Sequence, residues 1–552
     1  MSDPLSQLRA TVHAAVQAVG DGALSAEPTL ERPPKPEMGD YSTNAAMLLA
    51  PVRGAKPRDV AELLSGPLSE RLGDSASRVE VAGPGFLNLH LTDRWHREAL
   101  AGILAAGAGY GRAPAADPQR ILVEFVSANP TGPLTAAGGR GGAYGDSLAR
   151  LLEATGHEVG REYLLNDVGG QVDRFAASIA ARMRGEEPPE DGYSGDYVGE
   201  LASELASDGV AADDLDALAQ RGTEAMRERI ASTLERFGVR FDTWFSQRKL
   251  EGSGAVDTVI RELRERGHAY DSDGAVWLRT TEFGDDKDRV LIRADGEPTY
   301  FAADVAYHRD KLERGWEHLI DPLGSDHHGY TARMKASLAA LGADPDSYEA
   351  PIMQLIQIVE GGERSRMSKR AGHFVTLDEL LDDIGTDATR FFMVQRSHDT
   401  AFDLDLDLAR SQSQDNPVYY VQYAHARIAS ILRKAIAEGV ASGSEDEPDE
   451  GGIEAAGAAV LDAPAEPAER ALIQRLLELP GEVSSAAGRR APHRLCAYAT
   501  STAADFHAFY RDCQVVGAPG DLEAARLAVC VATKRGIATT LGLLGVSAPE
   551  RM

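Results

Sequence analysis

The sequence predicts an α/β nucleotide-binding unit of Rossmann type, preceded by an α+β unit and followed by an all-helical one. Three observations carry this. Ile121 to Ala143, ILVEFVSANPTGPLTAAGGRGGA, reads as a buried strand, a Pro/Gly turn and a glycine-rich helix start. That geometry presents backbone N–H groups to a phosphate. Strand-like GAVWLRT and RVLIR return downstream, after a long helical stretch. From about residue 396 to 552 the pattern is nearly all helix.

The elements follow in order. Residues 1–110 form the first unit. Leu5, Leu8, Val12, Ala15 and Val16 mark one face of a helix, and Pro33-Pro34-Lys35-Pro36 breaks it. VEVAGPGFLNLHL then gives two strands around a Gly-Pro-Gly turn, and an Ala/Gly/Pro-rich linker runs to Pro118. The second unit, 119–395, opens with a strand over Ile121 to Val126. Tyr144, Leu148, Leu151 and Leu152 share a face of the next helix, which stops at Gly156. Residues at about 170–250 read as a helical insertion. The third unit, 396–552, carries one acidic low-complexity break, Gly443 to Gly452, read as a solvated loop.

Composition narrows the class. A chain of 552 residues, 43% hydrophobic, can bury several cores. No run approaches the roughly 18 apolar residues of a membrane helix, and MSDPLSQLRA lacks a signal peptide's apolar core. A cytoplasmic protein without membrane contact is expected. Cys496, Cys513 and Cys530 have neither disulfide nor zinc-ligand spacing. The net charge of −29 runs against a nucleic-acid partner unless cations are concentrated locally.

One such concentration is visible. GGERSRMSKRAG sets Arg364, Arg366, Lys369 and Arg370 between Gly361, Gly362 and Gly372. A glycine-bounded cationic loop can close on a triphosphate; an ordinary basic surface loop is the other reading. Across from it, Thr135 offers a hydroxyl, Gly138 a backbone N–H, Gly139 close approach, and Arg140 a cation. Tyr300 and Asp304 lie four apart, one face if helical, and join Glu124 and Asn129 as groups suited to a guanidinium. Taken singly, Asp304 also fits a structural pair and Tyr300 a core position. Asp326, His327 and His328 lack a further ligand cluster, so no protein-bound metal is expected.

The chain resembles the arginyl-tRNA synthetases, class I aminoacyl-tRNA synthetases, over nearly its whole length. NPTGPL at Asn129 to Leu134, NDVGGQ, DDKDRVLIRADG, GSDHHGY, RMSKRAG, DNPVYYVQYAHARI, FYRDCQV and LLGVSAPERM carry the likeness. Where that family has His-x-Gly-His, this chain has Thr135-Ala136-Ala137-Gly138. The resemblance implies ATP, with Mg²⁺ arriving on it, L-arginine and its tRNA as partners. It implies that Lys369 is the catalytic lysine, with Arg366, Ser368, Thr135 and Gly138 beside it. Gly132, Pro133, Gly139, Arg140, Met367, Asp326 and His328 would line the ATP site. Asp304 would pair with the guanidinium, Tyr300 pack on the side chain, and Glu124 and Asn129 hold the α-amino end. Phe86 and Asn88, two apart on a strand, would read a D-loop base, and Tyr419, Tyr423 and Arg427 unstacked anticodon bases. Packing of Phe86, Tyr420 and Tyr423 into cores is the other reading. The expected activity is arginine–tRNA ligation by a monomer. A second reading is a tRNA- or arginine-binding paralogue that activates weakly or not at all, because both histidines are absent.

Overall fold

The structure is a computed structural model that describes residues 4–20, 26–325, 329–364, 375–444 and 447–552. The first unit comprises α1 (Pro4–Val19), β1 (Tyr41–Thr43), α2 (Ala45–Arg53), α3 (Pro57–Leu72), β2 (Ala76–Ala82), β3 (Phe86–Leu91) and α4 (Asp93–Ala105). The five apolar residues that mark α1 in the sequence are all buried. The three strands form an antiparallel sheet in the order β1-β3-β2. The β2–β3 turn needs its glycines: Gly85 has φ 148°, and a Cβ there would sit 2.8 Å from Pro57.

The second unit is built on a five-stranded, wholly parallel sheet. Its strands are β4 (Arg120–Glu124), β5 (Glu158–Leu165), β6 (Thr243–Ser246), β10 (His318–Ile320) and β12 (Tyr348–Glu349), ordered β12-β10-β4-β5-β6. The chain builds outward from β4 to β6, then returns to β10 on β4's other side. The seam between β4 and β10 is therefore the switch point, where parallel sheets open a crevice at their carboxyl ends. Helix α5 (Ala136–Ala154) follows β4, and Tyr144, Leu148, Leu151 and Leu152 are buried on it as their spacing requires. The inserted helices are α6 (Gly170–Met183), α7 (Asp196–Ser207) and α8 (Leu215–Arg236). The helical pattern expected to residue 250 gives way at β6, four residues that become strand by pairing with β5.

Helices α9 (Gln247–Gly252) and α10 (Ala255–Glu265) precede an antiparallel meander, β7 (Ala269–Ser272), β8 (Ala275–Leu278) and β9 (Arg289–Ile292). Helix α11 (Tyr300–Glu313) leads into β10. After it come β11 (Leu323–Gly324), α12 (Tyr330–Ala340), β13 (Ile352–Met353), β14 (Ile356–Glu360), β15 (Glu363–Arg364), α13 (Leu377–Val394), β16 (Phe402–Asp405) and α14 (Leu406–Arg410). β16 pairs in parallel with β14, so strand pairing carries this unit beyond residue 395. The rest is a helical bundle: α15 (Pro417–Ala437), α16 (Glu450–Ala459), α17 (Pro467–Leu477), α18 (Leu479–Gly488), α19 (His493–Asp512) and α20 (Asp521–Leu543). All three cysteines are buried here or at its edge.

One apolar core runs from α1 through α5 into the bundle. At its centre the fully buried Arg390 on α13 donates to Leu544 O and Phe237 O, both at 3.0 Å, and reaches Asp146 of α5 at 2.5 Å. Removing it strands two buried carbonyls and leaves the buried Asp146 with Arg150 as its remaining close partner. Arg390→Ala is expected to cost about 3–5 kcal/mol. Thermal melts should show the transition falling by several degrees relative to an exposed control such as Arg489→Ala.

Candidate active site

The strand that opens the site ends early. β4 stops at Glu124 because the chain turns sharply: the Ser127 N–H donates to Phe125 O at 2.9 Å, closing a three-residue turn with Val126 at φ 67°. A β-branched residue in that region is strained. The turn aims Glu124 across the switch point. Ser127 Oγ donates to Glu124 Oε1 (2.9 Å) and accepts from Leu164 N–H (3.0 Å).

From the other side, α11 presents one charged face. Thr299 caps it, accepting from Ala302 N–H. Tyr300, Asp304, Tyr307, His308 and Lys311 then follow at helical spacing. Lys311 Nζ lies 2.6 Å from Glu124 Oε2, and 3.0 and 3.2 Å from the two oxygens of Asp321, just past β10. His308 Nε2 lies 2.8 Å from Asp321 Oδ2, and its Nδ1 2.8 Å from Asp304 O. Both partners are oxygen acceptors, so the imidazole is held between them. Tyr307 donates to the buried Glu162 at 2.6 Å, and Arg314 closes on that carboxylate bidentately. Tyr330 hydrogen-bonds Asp304.

The charge balance is informative. Among the described residues, Glu124, Glu162, Asp304 and Asp321 meet two permanent cations, Lys311 and Arg314. Burial pushes the Asp304 carboxyl up to about 6, against the pull of His308 and Tyr330. Burial likewise raises Glu124 despite Lys311. Burial opposes charge on Asp321 too, but Lys311 and His308 outweigh it and draw it below the ordinary range. The cluster is short of positive charge and would be completed by a cationic ligand.

The glycine-rich helix start lies after the same turn. Thr135 caps α5 and accepts from Gly138 N–H at 3.4 Å. Ala136 N–H donates to Val375 O at 3.1 Å, and Leu377 N–H to Leu134 O at 2.8 Å. Residues 375–377, where the chain leaves the basic segment, are thus hydrogen-bonded to the start of α5. Among the described residues, Ala137 N–H is the first-turn donor without a partner.

Several sequence expectations are placed by this geometry. Tyr300 is 71% exposed, which excludes a core role, and its hydroxyl leans over Gly169. Asn129 Nδ2 donates to Gln171 Oε1 at 2.7 Å, at the mouth of the insertion. Gly132 lies under Tyr197, where a Cβ would come within 3.0 Å of the hydroxyl; Pro133 is half-buried beside it. Two expectations need correction. Arg140 is buried and donates to the carbonyls of Gln354, Ser397 and Thr400, with Phe402 under its guanidinium. It therefore holds a loop rather than facing a phosphate. Gly139 is buried against α13, where a Cβ would stand 2.8 Å from Leu377, so helix packing is what requires it. Arg366, Met367, Ser368 and Lys369, together with Asp326, His327 and His328, lie outside the described residues. Sequence reasoning missed His308, Lys311 and Asp321. The signal was the spacing from Asp304 to His308 and Lys311, hidden among the outward charges of Arg309 and Asp310.

At the expected tRNA surfaces, Phe86 is 36% exposed at the hairpin tip. Asn88 is a correction: it pairs centrally between β1 and β2 and is buried, its Oδ1 without a partner among the described residues. On α15, Tyr419 and Tyr423 stack at 6.2 Å, and Arg427 covers the rings of Tyr423 and Tyr510. Tyr420 and Tyr423 are half-buried; Tyr420 packs against the main core, and His507 lies against both rings. His425 is buried and bonded to Pro549 O.

Comparison with known proteins defines the class first. Residues 224–408 match the class I tRNA synthetase (R) catalytic domain, 6–91 the arginyl-tRNA synthetase N-terminal domain, and 421–552 the DALR anticodon-binding domain. A parallel nucleotide fold with those flanking units is that of a class I aminoacyl-tRNA synthetase. The arginine–tRNA ligase of Frankia alni is 46% identical over 564 residues, covering all of both chains. A Campylobacter jejuni protein assigned as an arginyl-tRNA synthetase superposes with TM-score 0.75 at 31% identity, over 84% of this chain and 100% of its own. The Thermus thermophilus arginyl-tRNA synthetase shares the fold, with TM-score 0.74 at 24% identity, over 99% and 100%. The chain belongs to the arginyl-tRNA synthetase family.

The Asp304 carboxyl makes a stability prediction. Its value is raised to about 6 from 3.8, so the folded chain holds its proton longer than the unfolded one. Ionising it therefore destabilises the fold progressively between those values and constantly above them. Asp304→Asn should be no more stable than wild type near pH 4, and more stable above pH 6, by up to about 3 kcal/mol. Melting curves across pH on the ligand-free protein check this.

Proposed function

We propose that this protein joins L-arginine to the terminal adenosine of its tRNA, using ATP. The observation that carries the reading is the cation-deficient carboxylate cluster at the switch point, set across from the start of α5. Asp304 takes the guanidinium, with Tyr300 lying along the side chain at the mouth. Glu124 and Asn129 hold the α-ammonium. The arginine carboxylate attacks the α-phosphorus of ATP, and pyrophosphate leaves with Mg²⁺. Negative charge builds on the β,γ-phosphates; Lys369, Arg366 and Ser368 neutralise it, with Met367 beside them. Thr135 and Ala137 donate from the helix start, over Gly132 and Pro133, while the Gly138 N–H is held by the Thr135 oxygen. Asp326 and His328 hold the nucleoside. The 2′-OH of the terminal adenosine then attacks the arginyl carbonyl, and AMP leaves.

Thr135 supports retained chemistry without the motif histidines. Its oxygen accepts from Gly138 N–H, so its own hydroxyl proton is free to point outward as a donor. The paralogue reading is not favoured: likeness to a curated ligase runs the full length of the chain. Phe86 stacks on the D-loop, and Tyr419, Tyr423 and Arg427 on the anticodon. Three units, divided near residues 110 and 395–416, act as a cytoplasmic monomer. Among the described residues no helix is long and apolar enough to cross a membrane.

Charging of tRNA with radiolabelled arginine tests the proposal. Product should form with wild type and fall to background in Lys369→Ala; no product in either rejects it. The arginine KM should rise about tenfold per pH unit below about 6, because the guanidinium needs the Asp304 carboxylate ionised. Tyr423→Ala should weaken tRNA binding by about 1–3 kcal/mol, seen as a higher tRNA KM with the arginine KM unchanged.

A further inference from the structure

Lys311 is a fully buried lysine that no step of the proposed chemistry uses. Its ammonium stands between Glu124 and Asp321 and 4.4 Å from the centre of the Tyr307 ring. The groups around it come from every neighbouring element: Asp304, Tyr307 and His308 on α11 and Arg314 just past its end, Glu124 on β4, Glu162 on β5, and Asp321 after β10. Tyr330 and Tyr348 close the far side. Burial opposes its charge, but Asp321, Glu124 and Glu162 hold it above the ordinary lysine value.

Glu124 and Asp321 sit at the ends of adjacent parallel strands. Without a cation between them, two buried carboxylates would share that space, and one would take up a proton. Glu124 would be the one to yield, since burial already raises it while His308 also holds Asp321. A protonated Glu124 is a poor partner for an ammonium.

We propose, resting on the arginine reading of this site, that Lys311 is a positioning residue which keeps Glu124 ionised and aimed at the α-ammonium of the substrate. It acts through Glu124 and does not touch the reacting atoms. Its removal therefore affects arginine and leaves ATP alone.

The test is steady-state charging by Lys311→Met. The arginine KM should rise at least about tenfold, as for loss of a charge-assisted bond. The ATP KM and kcat should stay within about twofold of wild type. The arginine KM should also become pH-dependent in the neutral range, falling as pH rises. In Lys311→Ala, propylammonium matches the deleted atoms and should restore the arginine KM, where propanol does not. If Lys311→Met does not fold, Lys311→Gln, which keeps a hydrogen-bond donor between the two carboxylates but no charge, should show the same rise in the arginine KM. An unchanged arginine KM in a folded variant overturns the proposal. So does an equal loss in the ATP KM and kcat, or rescue by propanol as effective as by propylammonium. Failure of the wild type to charge arginine would instead overturn the functional reading itself.

Discussion

The seam between β4 and β10 is held by one buried ammonium, and the geometry of the site descends from it. Parallel strands end side by side, so the carboxylates that follow them, Glu124 and Asp321, are brought close by the sheet. Neither can be pulled away without breaking strand register. Lys311 resolves their repulsion, and in doing so fixes the rotation of α11 about its own axis. Once that rotation is set, Asp304 must face the crevice and Tyr300 its mouth, because they lie two and three turns back along the same face. Desolvating such a cluster is costly. The compensation is that Glu124, Glu162 and Asp321 each have a cation within hydrogen-bond reach.

The start of α5 shows a different solution to an electrostatic problem. A helix N-terminus carries roughly half a positive charge, but only free N–H groups can deliver it. Here Val375 O takes one and the Thr135 hydroxyl another. An imidazole donor is typically worth about 3–4 kcal/mol at such a place. With none present, the burden shifts to cations, and Arg140 is committed to three carbonyls. On the proposed reading, the basic residues between 364 and 372 supply them. Residues 375 and 377, which follow them in the chain, are hydrogen-bonded to Ala136 and Leu134 at the helix start.

What the sequence made legible was local and periodic. The faces of α1 and α5, the Gly-Pro-Gly hairpin and the pairing of Tyr300 with Asp304 follow from spacing alone. What it hid was non-local. TWFS becomes β6 only because β5 lies beside it, and FDLD becomes β16 only beside β14. Arg140 looks like a phosphate cation until Gln354, Ser397 and Thr400 fold back around it. Lys311, between Asp310 and Glu313, is indistinguishable from a solvated helix charge by pattern. Its role appears only when Glu124, 187 residues away, meets it.

The outer units are joined by the same kind of buried ionic contact. Arg97 on α4 meets Glu469 at 2.5 Å and donates to the carbonyls of Ala463 and Pro464; Arg526 approaches the other oxygen of Glu469 at 3.3 Å. Gln474 bridges Asp40 and His96 nearby. A hydrophobic contact of equal area would bind as well, but it would let α4 rotate. Carbonyls and a carboxylate fix its angle. Thr92 alone separates α4 from β3, so the hairpin that carries Phe86 inherits that orientation. Phe86 and the α15 tyrosines are therefore held at a set separation by the fold. On the proposed reading, that is what a rigid, elongated polyanion gripped at two distant points requires: a frame that does not flex between them.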